Sequence, residues 1–145
     1  MVAKKAIVTG GAGFIGSHIV DYFLTKGWHV KVIDNESAET HDKFYWNKNS
    51  ENHEEDICDY ESIRPIFDGV DFVFHLAAES RIQPTLDNPI LAAEVNTVGT
   101  CTILQCAKEA GVKRVVYSST SASYGLVNEI PNVESMATDC LFFFF

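Results

Sequence analysis

Three glycines spaced three residues apart form the stretch of the sequence best suited to hold a ligand. Gly10, Gly13 and Gly16 follow the apolar run 6–8 and open an amphipathic segment over residues 14–26. Between a strand and a helix, the first glycine permits a tight turn, the second lets backbone approach a pyrophosphate, and the third lets the helix pack close to the sheet. The helix N-terminus adds unpaired N–H groups and partial positive charge. The pattern therefore predicts a phosphate-binding turn.

An acidic residue stands where the second predicted strand ends. Asp34 directly follows the largely apolar run 29–33. A carboxylate at this place accepts hydrogen bonds from an adenosine ribose and repels a 2′-phosphate. The glycine turn and Asp34 together predict a dinucleotide site that favours NAD over NADP.

The elements that must position these residues alternate along the chain. Strands are predicted over residues 5–9, up to 33, shortly before 56, and over 71–76 and 112–117. Helices are predicted over 13–26, from 59 to about 69, and from 88 to about 110, with Gly27 after the first helix and with Asp59 and Asn88 as N-caps. This alternation predicts an α/β fold of the Rossmann type, with a doubly wound parallel sheet in three α/β/α layers. We expect the apolar strand 71–76 to be covered on both faces.

Size and composition describe one soluble globular domain. The chain has 145 residues, of which 46% are apolar and 21% charged, and a formal net charge of −9. This acidic balance argues against a nucleic-acid surface, and no apolar run approaches the ~20 residues that span a bilayer. The N-terminus has no signal-peptide pattern. The sequence therefore favours a cytoplasmic location without a nucleic-acid or membrane partner.

Cysteines and histidines give no disulfide or metal pattern. The four cysteines contain no CxxC spacing and predict reduced thiols: Cys58, Cys101, Cys106 and Cys140. Cys101 and Cys106 should point to different faces of one helix. The histidines between residues 41 and 53 lack regular ligand spacing, so no metal site is predicted. His75 ends an apolar strand and is expected to be a buried, hydrogen-bonded histidine.

Residues 36–61 are polar and carry nine acidic residues against two lysines. The aromatic trio Phe44-Tyr45-Trp46 lies within this region. It forms either a lid or a short packed turn, and local packing is the simpler interpretation.

Six motifs stand in order along the chain: Gly10-x-x-Gly13-x-x-Gly16, Asp34-Asn35, Asp56-Ile57, Leu76-Ala77-Ala78, Asn96-x-x-Gly99-Thr100 and Ser118-Ser119-Thr120-x-x-x-Tyr124-Gly125. In this order they resemble the extended short-chain dehydrogenase/reductase family, and within it the nucleotide-sugar epimerases of the UDP-glucose 4-epimerase type. The resemblance covers residues 4 to about 141.

The resemblance implies a role for each motif. It implies that NAD is bound by Gly10, Gly13, Phe14, Ile15 and Gly16 at the pyrophosphate, by Asp34 and Asn35 at the adenosine ribose, by Asp56 and Ile57 at the adenine, and by Leu76, Ala77, Ala78, Asn96 and Ser118 along the cleft. Asn96 further resembles a structural asparagine that ties the central helix to the cleft. Thr120 occupies the catalytic Ser/Thr position, where a hydroxyl can hydrogen-bond a sugar hydroxyl while hydride moves. Arg81 falls where related enzymes contact the substrate.

The reaction implied is C4 epimerisation of a UDP-sugar through a transient 4-keto intermediate. Some dehydratases and decarboxylases of the family carry an acid one or two residues after the catalytic Thr. Ser121 and Ala122 stand there in this chain, which favours an epimerase or a simple oxidoreductase.

The family's Tyr-x-x-x-Lys pair is not found where the resemblance places it. The sequence ends in Phe142–Phe145, and Phe144 stands near the expected tyrosine. Tyr22 and Lys26 have the right spacing but lie on the first predicted helix, away from the phosphate end. We therefore expect a truncated NAD-binding Rossmann domain over residues 1–141 and an aberrant tail over 142–145. Such a chain lacks the last strand and the substrate domain and should be inactive alone.

Two alternatives stay open. The chain is either a stand-alone NAD-binding or regulatory module, whose Phe tail docks in another protein, or part of another NAD-dependent oxidoreductase or dehydratase of the same family. Family members often form a homodimer through a pair of helices from each subunit. The resemblance implies that one of these helices is lost here, so a homodimer stays open as a further alternative.

Overall fold

The strands and helices of the chain are described from a computed structural model, which defines residues 3–38, 43–124 and 131–136. The strands are β1 (Lys5–Thr9), β2 (His29–Asp34), β3 (Glu51–Glu54), β4 (Phe72–His75) and β5 (Arg114–Tyr117). The α-helices are α1 (Phe14–Thr25), α2 (Tyr60–Ile63), α3 (Ile82–Asp87), α4 (Pro89–Ala93) and α5 (Thr100–Glu109).

The five strands form one parallel sheet in the order β3-β2-β1-β4-β5. Val8 in the central strand pairs with Val32 of β2 on one side and with Phe74 of β4 on the other. The chain first winds from β1 to β3 and then crosses back to β4 and β5, so the order of the strands reverses beside β1. The predicted doubly wound parallel sheet is confirmed, and ligands bind such sheets at the carboxyl ends of the strands near this reversal.

Helix α1 covers one face of the sheet over β1 and β2. Val20 of α1 packs with Val8, Val30 and Val32, and none of the four is more than 1% exposed. The helix ends as the sequence predicts, because Gly27 adopts a φ of +73° and its N–H donates to the carbonyl oxygen of Leu24 at 3.0 Å. This packing fixes α1 above the strands that carry the glycine turn and Asp34.

The larger core lies on the opposite face, under α2 and α5. Ile63, Phe67 and Ile103 reach it from the helical segments, and Ile7 and Val73 reach it from the sheet; all five are fully buried. Burial of side chains of this size contributes about 1.5–3 kcal/mol each. The three predicted layers, helix on sheet on helix, are therefore confirmed.

Two helix starts follow the predicted capping. The carboxylate of Asp59 accepts hydrogen bonds from the backbone N–H groups of Glu61 and Ser62, both at 3.2 Å. Asn88 accepts from the N–H of Leu91 at 3.2 Å, and Pro89 occupies the first helical turn. Asx side chains at these positions satisfy N–H groups that the helix leaves unpaired.

The helix predicted from residue 88 to about 110 is present but not uniform. A π-helical turn, Glu94–Gly99, separates α4 from α5. By length and composition alone, the combined helix Pro89–Glu109 could cross a membrane. Its Ile103, Cys106 and Ala107 belong to the core, as in the central helix of a globular domain. Cys106 is buried and Cys101 exposed, as their spacing predicted.

Other local features differ from the sequence prediction. Helix α3 was not predicted, because its apolar side chains Ile82 and Leu86 are exposed and give no core-facing pattern. After α2 the chain tightens into a 3-10 turn, Arg64–Phe67, with Pro65 near its start. The described parts of the β2–β3 connection, 35–38 and 43–50, contain no helix.

The sheet is covered on both faces only in part. On the face that carries α1, Phe74 of β4 packs against Phe23 of α1, with 4.7 Å between the ring centroids, and is half-buried. Val116 of β5 is 45% exposed on the same face. Within the described residues, β4 is therefore buried on the Val73 face and partly covered on the Phe74 face.

Candidate functional site

The chain leaves β1 through a tight turn at Gly10. Its φ is +66°, in the left-handed region that favours glycine. The Gly10 N–H donates to the carbonyl oxygen of Ile33 at 2.8 Å, and a Cβ at Gly10 would lie 2.9 Å from the backbone nitrogen of Ala77. The turn is therefore wedged between the ends of β2 and β4, and both its conformation and its surroundings require glycine.

Gly16 packs against this turn rather than against the sheet. A Cβ on Gly16 would overlap the carbonyl oxygen of Gly10 and would lie 2.8 Å from the Cα of Gly11. The predicted reason for this glycine, close packing of helix on strand, is thus corrected. It is the backbone of the turn that approaches α1, and this contact holds the helix N-terminus directly over the turn.

The N-terminus of α1 is open. Gly13 is the N-cap residue and has no side chain to cap the helix, while Phe14 and Ile15 are 72% and 62% exposed. The first N–H groups of a helix have no partner within it. The residues that the resemblance assigns to a pyrophosphate therefore surround backbone donors that can bind an anion.

Asp34 ends β2 and is 9% exposed. Its Oδ2 accepts from the N–H of Ala12 at 3.0 Å, and its Oδ1 accepts from the N–H of Glu36 at 2.9 Å. One carboxylate thus joins the glycine turn to the chain after β2. Each oxygen has a further lone pair that can accept a hydroxyl hydrogen bond.

The strand next to β2 brings Asp56 beside this position. Asn35 donates its side-chain N–H to Asp56 at 3.1 Å, and the N–H of Cys58 donates to the same carboxylate at 2.8 Å. The side chain of Ile57, in contrast, is buried in the core, and the residue is 4% exposed. Burial, then the charge of Asp56, raises the pKa of the Cys58 thiol to about 11, so this thiol is protonated at neutral pH.

The segment after β4 forms the wall opposite Asp34. Leu76 and Ala77 are half-buried and Ala78 is exposed. The hydroxyl oxygen of Thr9 accepts from the N–H groups of Leu76 and Ala77, both at 3.2 Å. The end of β1 therefore fixes the start of this wall.

His75 lies beneath the same wall and is 1% exposed. Its Nδ1 is 2.7 Å from the Thr9 hydroxyl, and its Nε2 is 3.0 Å from the Thr100 hydroxyl. Burial lowers the pKa of His75 to about 4, so the ring is neutral at physiological pH. The prediction of a buried, hydrogen-bonded histidine is confirmed.

Asn96 joins the long helix to the segment after β4. Its Oδ1 accepts from the N–H of Glu79 at 2.9 Å, and its Nδ2 donates to the carbonyl oxygen of Glu79 at 3.0 Å. Asn96 lies within the π-helical turn. The expected tie between helix and cleft is therefore present as a paired hydrogen bond, whereas no pattern of residues indicated the π turn.

The remaining predicted residues lie at the same end of the sheet. Ser118 follows β5 and its N–H donates to the carbonyl oxygen of His75 at 3.0 Å; Thr120 comes two residues later and is exposed. Arg81 is the exposed N-cap of α3. Three features therefore follow the carboxyl ends of the adjacent strands β1, β4 and β5: the glycine turn, Arg81 and Thr120. Gly125 and the 142–145 tail lie outside the described residues.

The aromatic segment 44–46 is joined to the glycine turn, a connection that the sequence did not predict. The N–H of Tyr45 donates to the carbonyl oxygen of Ala12 at 2.9 Å, which joins this segment to the glycine turn. Trp46 packs against the Val8, Val20, Val30 and Val32 cluster, so the local-packing interpretation applies to it. The signal in the sequence was the trio itself, an apolar group inside an acidic, polar stretch.

No metal-binding group of three or more His, Cys, Asp or Glu side chains is found among residues 3–38, 43–124 and 131–136. Between β2 and β3, the Glu51 carboxylate accepts hydrogen bonds from His29 and His53, each at 2.9 Å. Burial favours a higher pKa for Glu51, but the hydrogen bonds from His29 and His53, together with the charges of Lys31 and His53, lower the pKa on balance.

A glycine turn at the end of β1, an open helix N-terminus and an acid at the end of β2 define a dinucleotide-binding domain of the Rossmann type. The sequence profile of the GDP-mannose 4,6-dehydratase family matches residues 7–140. The chain belongs to this family.

Its relatives include nucleotide-sugar epimerases and decarboxylases. UDP-glucose 4-epimerase of Streptococcus mutans is 36% identical over 132 residues, which cover 89% of this chain and 39% of that protein. UDP-N-acetyl-alpha-D-glucosaminuronate decarboxylase of Bacillus cytotoxicus is 38% identical over 132 residues, 84% of this chain and 38% of that protein. The chain thus spans about two fifths of the length of these relatives.

Solved structures agree with this assignment. UDP-glucose 4-epimerase of Thermus thermophilus, solved in complex with NAD, is 34% identical and superposes with a TM-score of 0.78. The match covers 90% of this chain and 42% of that structure. The predicted Rossmann fold and family resemblance are confirmed.

Proposed function

We propose that this chain forms the NAD-binding part of a nucleotide-sugar 4-epimerase. The proposal rests on one observation, the close packing of the glycine turn against the ends of β2 and β4. Asp34 accepts from Ala12 at 3.0 Å, and Gly10 leaves no room for a Cβ beside Ala77. A pyrophosphate can approach backbone N–H groups only where such a turn carries no side chains.

The residues present fit NAD. The amides at the start of α1 would hold the pyrophosphate, and Asp34 would accept hydrogen bonds from the adenosine ribose. Asn35 would also lie at the ribose, Asp56 and Ile57 would flank the adenine, and the segment 76–78 would form the opposite wall. Bound NAD would supply a hydride acceptor and donor at C4 of the sugar.

Thr120 would take part in the chemistry as a hydrogen-bonding group. Its hydroxyl stands just beyond β5 at the strand ends, where it can orient a sugar hydroxyl whose proton leaves during oxidation. Arg81 would contact the substrate from the start of α3. The UDP-sugar itself is proposed from the relatives, several of which are UDP-glucose 4-epimerases.

Calorimetric titration with NAD tests the cofactor proposal. We expect the wild-type chain to bind NAD and Asp34→Asn to bind it about tenfold or more weakly, since loss of the charge removes strong ribose hydrogen bonds. Asp87→Asn is the matched control, because Asp87 is exposed and its carboxylate accepts a hydrogen bond from the neighbouring Gln83 side chain on α3. Equal NAD affinity in wild type and Asp34→Asn, or no NAD binding by a folded wild type, would refute the proposal.

A decarboxylase or dehydratase part is the second candidate, because a decarboxylase is among the 38%-identical relatives. Ser121 and Ala122 favour the epimerase, since no acid stands there. A stand-alone NAD-binding module is a third possibility. Epimerisation of UDP-glucose by the purified chain with NAD would single out the epimerase among the three and overturn the prediction that the chain is inactive alone, whereas NAD binding without turnover fits all three.

Location and assembly follow the same proposal. The relatives support a cytoplasmic enzyme, and the helix Pro89–Glu109 presents the exposed apolar residues Ile90, Val98 and Leu104. This surface is available for a homodimer. Sedimentation of the purified chain measures its mass directly, and a monomer at high concentration would contradict the dimer.

A further inference from the structure

One non-glycine residue of the described chain has a left-handed backbone, and it follows Asp34 closely. Glu36 has a φ of +53°. Its N–H donates to Asp34 Oδ1 at 2.9 Å, so the backbone of Glu36 wraps around the carboxylate. A left-handed conformation is unfavourable for a residue with a Cβ and persists only where surrounding contacts impose it.

The side chain of Glu36 is fixed as well. Its Oε1 accepts a hydrogen bond from the indole Nε1 of Trp46 at 2.5 Å. An exposed glutamate normally samples many rotamers, whereas this one is held by a donor on a separate segment of the chain. Because the indole is uncharged, the hydrogen bond orients the carboxylate without neutralising it.

The residues before and after Trp46 are both held by hydrogen bonds to other parts of the chain. The N–H of Tyr45 donates to the carbonyl oxygen of Ala12 at 2.9 Å, and the side chain of Asn47 donates to Asp21 of α1 at 2.6 Å. The indole packs on the Val8, Val20, Val30 and Val32 cluster. These contacts place the Glu36 carboxylate between the end of β2 and the segment that touches the glycine turn.

From this geometry we infer that Glu36, held by Trp46, is a specificity-determining residue that excludes a 2′-phosphorylated dinucleotide. The inference rests on the proposed function, in which Asp34 receives the adenosine ribose. A 2′-phosphate on that ribose would enter a space bordered by two carboxylates, those of Asp34 and Glu36. The second carboxylate adds repulsion that Asp34 alone does not supply, and it leaves the 2′-hydroxyl of NAD unaffected.

Lys43 and Asp21 both line the hollow formed by Ala12, Ser17 and Tyr45 over α1, and Asp56 accepts from Asn35 just beyond β3. These charges are the same in the wild type and in Glu36→Gln, so a comparison of the two proteins isolates the effect of the Glu36 carboxylate.

Dissociation constants for NAD and NADP, measured by calorimetry at low and high salt, test the inference. We expect Glu36→Gln to strengthen NADP binding about three- to tenfold and to leave NAD binding unchanged, because one charge is removed at a distance of several ångströms in a largely aqueous setting. High salt should narrow the difference between wild type and variant, since it screens the repulsion. Trp46→Phe keeps the aromatic packing but removes the indole N–H, and it should change the NADP to NAD ratio in the same direction.

Glu61→Gln is the matched control, since it removes an equal charge from α2, an exposed position on the opposite face of the sheet. An unchanged NADP to NAD ratio in Glu36→Gln, or an equal change in Glu61→Gln, would overturn the inference while leaving NAD binding intact. Failure of the folded wild type to bind NAD at all would instead refute the proposed function, and this inference with it.

Discussion

The hydroxyl oxygen of Thr9 lies 2.7 Å from Nδ1 of His75, and this contact determines which ring nitrogen carries the proton. The Thr9 oxygen already accepts from the N–H groups of Leu76 and Ala77. Its own hydrogen therefore points to Nδ1, which must be the unprotonated nitrogen. Nε2 then carries the hydrogen and donates to Thr100. Three elements, β1, β4 and α5, are thus joined by one neutral imidazole.

This arrangement predicts a loss of stability in mild acid. Burial lowers the pKa of His75 from 6.5 to about 4. The unfolded chain therefore binds a proton at His75 that the folded chain excludes. The stabilisation is complete above pH 6.5 and is lost as the pH falls towards 4, by up to about 3 kcal/mol.

Urea unfolding between pH 7 and pH 4.5 measures this loss. We expect the pH dependence to be smaller in His75→Gln, which cannot titrate, and unchanged in His18→Gln, whose histidine is exposed on α1. NMR titration of the wild-type ring gives an independent measurement if His75→Gln fails to fold. A His75 ring that protonates near pH 6.5 in the folded chain would contradict the prediction.

The contact between Gly16 and Gly10 predicts that Gly16→Ala is severely destabilising. The added methyl group would overlap a backbone carbonyl oxygen, which cannot turn aside as a flexible side chain can. Either α1 or the turn must move, so we expect a loss of unfolding free energy above about 3 kcal/mol.

Gly27→Ala is the control for that substitution. Nothing lies within 4 Å of a Cβ at Gly27, although its φ is +73°, so only the backbone penalty of about 1–2 kcal/mol applies. The loss of unfolding free energy, measured by thermal unfolding, then compares the steric overlap in Gly16→Ala with the backbone strain in Gly27→Ala. A loss of stability in Gly16→Ala no larger than that in Gly27→Ala would contradict the predicted overlap with the Gly10 carbonyl oxygen.

Patterns of local residues were enough to predict the sheet, the long helices and the glycine turn. Val8, Val32 and Val73 stand in apolar runs typical of parallel strands. Asp59 and Asn88 cap helices by accepting hydrogen bonds from residues two or three positions later. Such features depend on near neighbours in the sequence, so the sequence alone reveals them.

The features that escaped prediction depend on contacts between distant residues. The position of Trp46 results from packing on β1, α1 and β2, and the left-handed Glu36 results from contacts with Asp34 and Trp46. The target of Gly16 is a carbonyl six residues earlier that only the folded turn brings close. No periodicity records such contacts, because they arise once the strands are paired.

The paired hydrogen bond between Asn96 and Glu79 supports a last prediction. The Asn96 side chain uses its carbonyl oxygen and its amide N–H on the backbone of one residue. In Asn96→Asp, one oxygen can still accept from the N–H of Glu79, but the other faces the carbonyl oxygen of Glu79 without a hydrogen to donate. We expect a loss of about 1–3 kcal/mol in unfolding free energy, because two hydrogen-bond acceptors would then face each other in a partly buried position.

Asn88→Asp is the suitable control for that variant. The side-chain oxygen of Asn88 accepts from the N–H of Leu91, and a carboxylate accepts equally well at an N-cap. Its stability should change by less than about 0.5 kcal/mol. Hydrogen exchange of the Glu79 amide gives the local readout. The amide should exchange faster in Asn96→Leu, which removes its acceptor, than in Asn96→Asp, which keeps it. Equal exchange rates in these two variants would show that the tie is held by packing of the π-helical turn instead of by the side chain of Asn96.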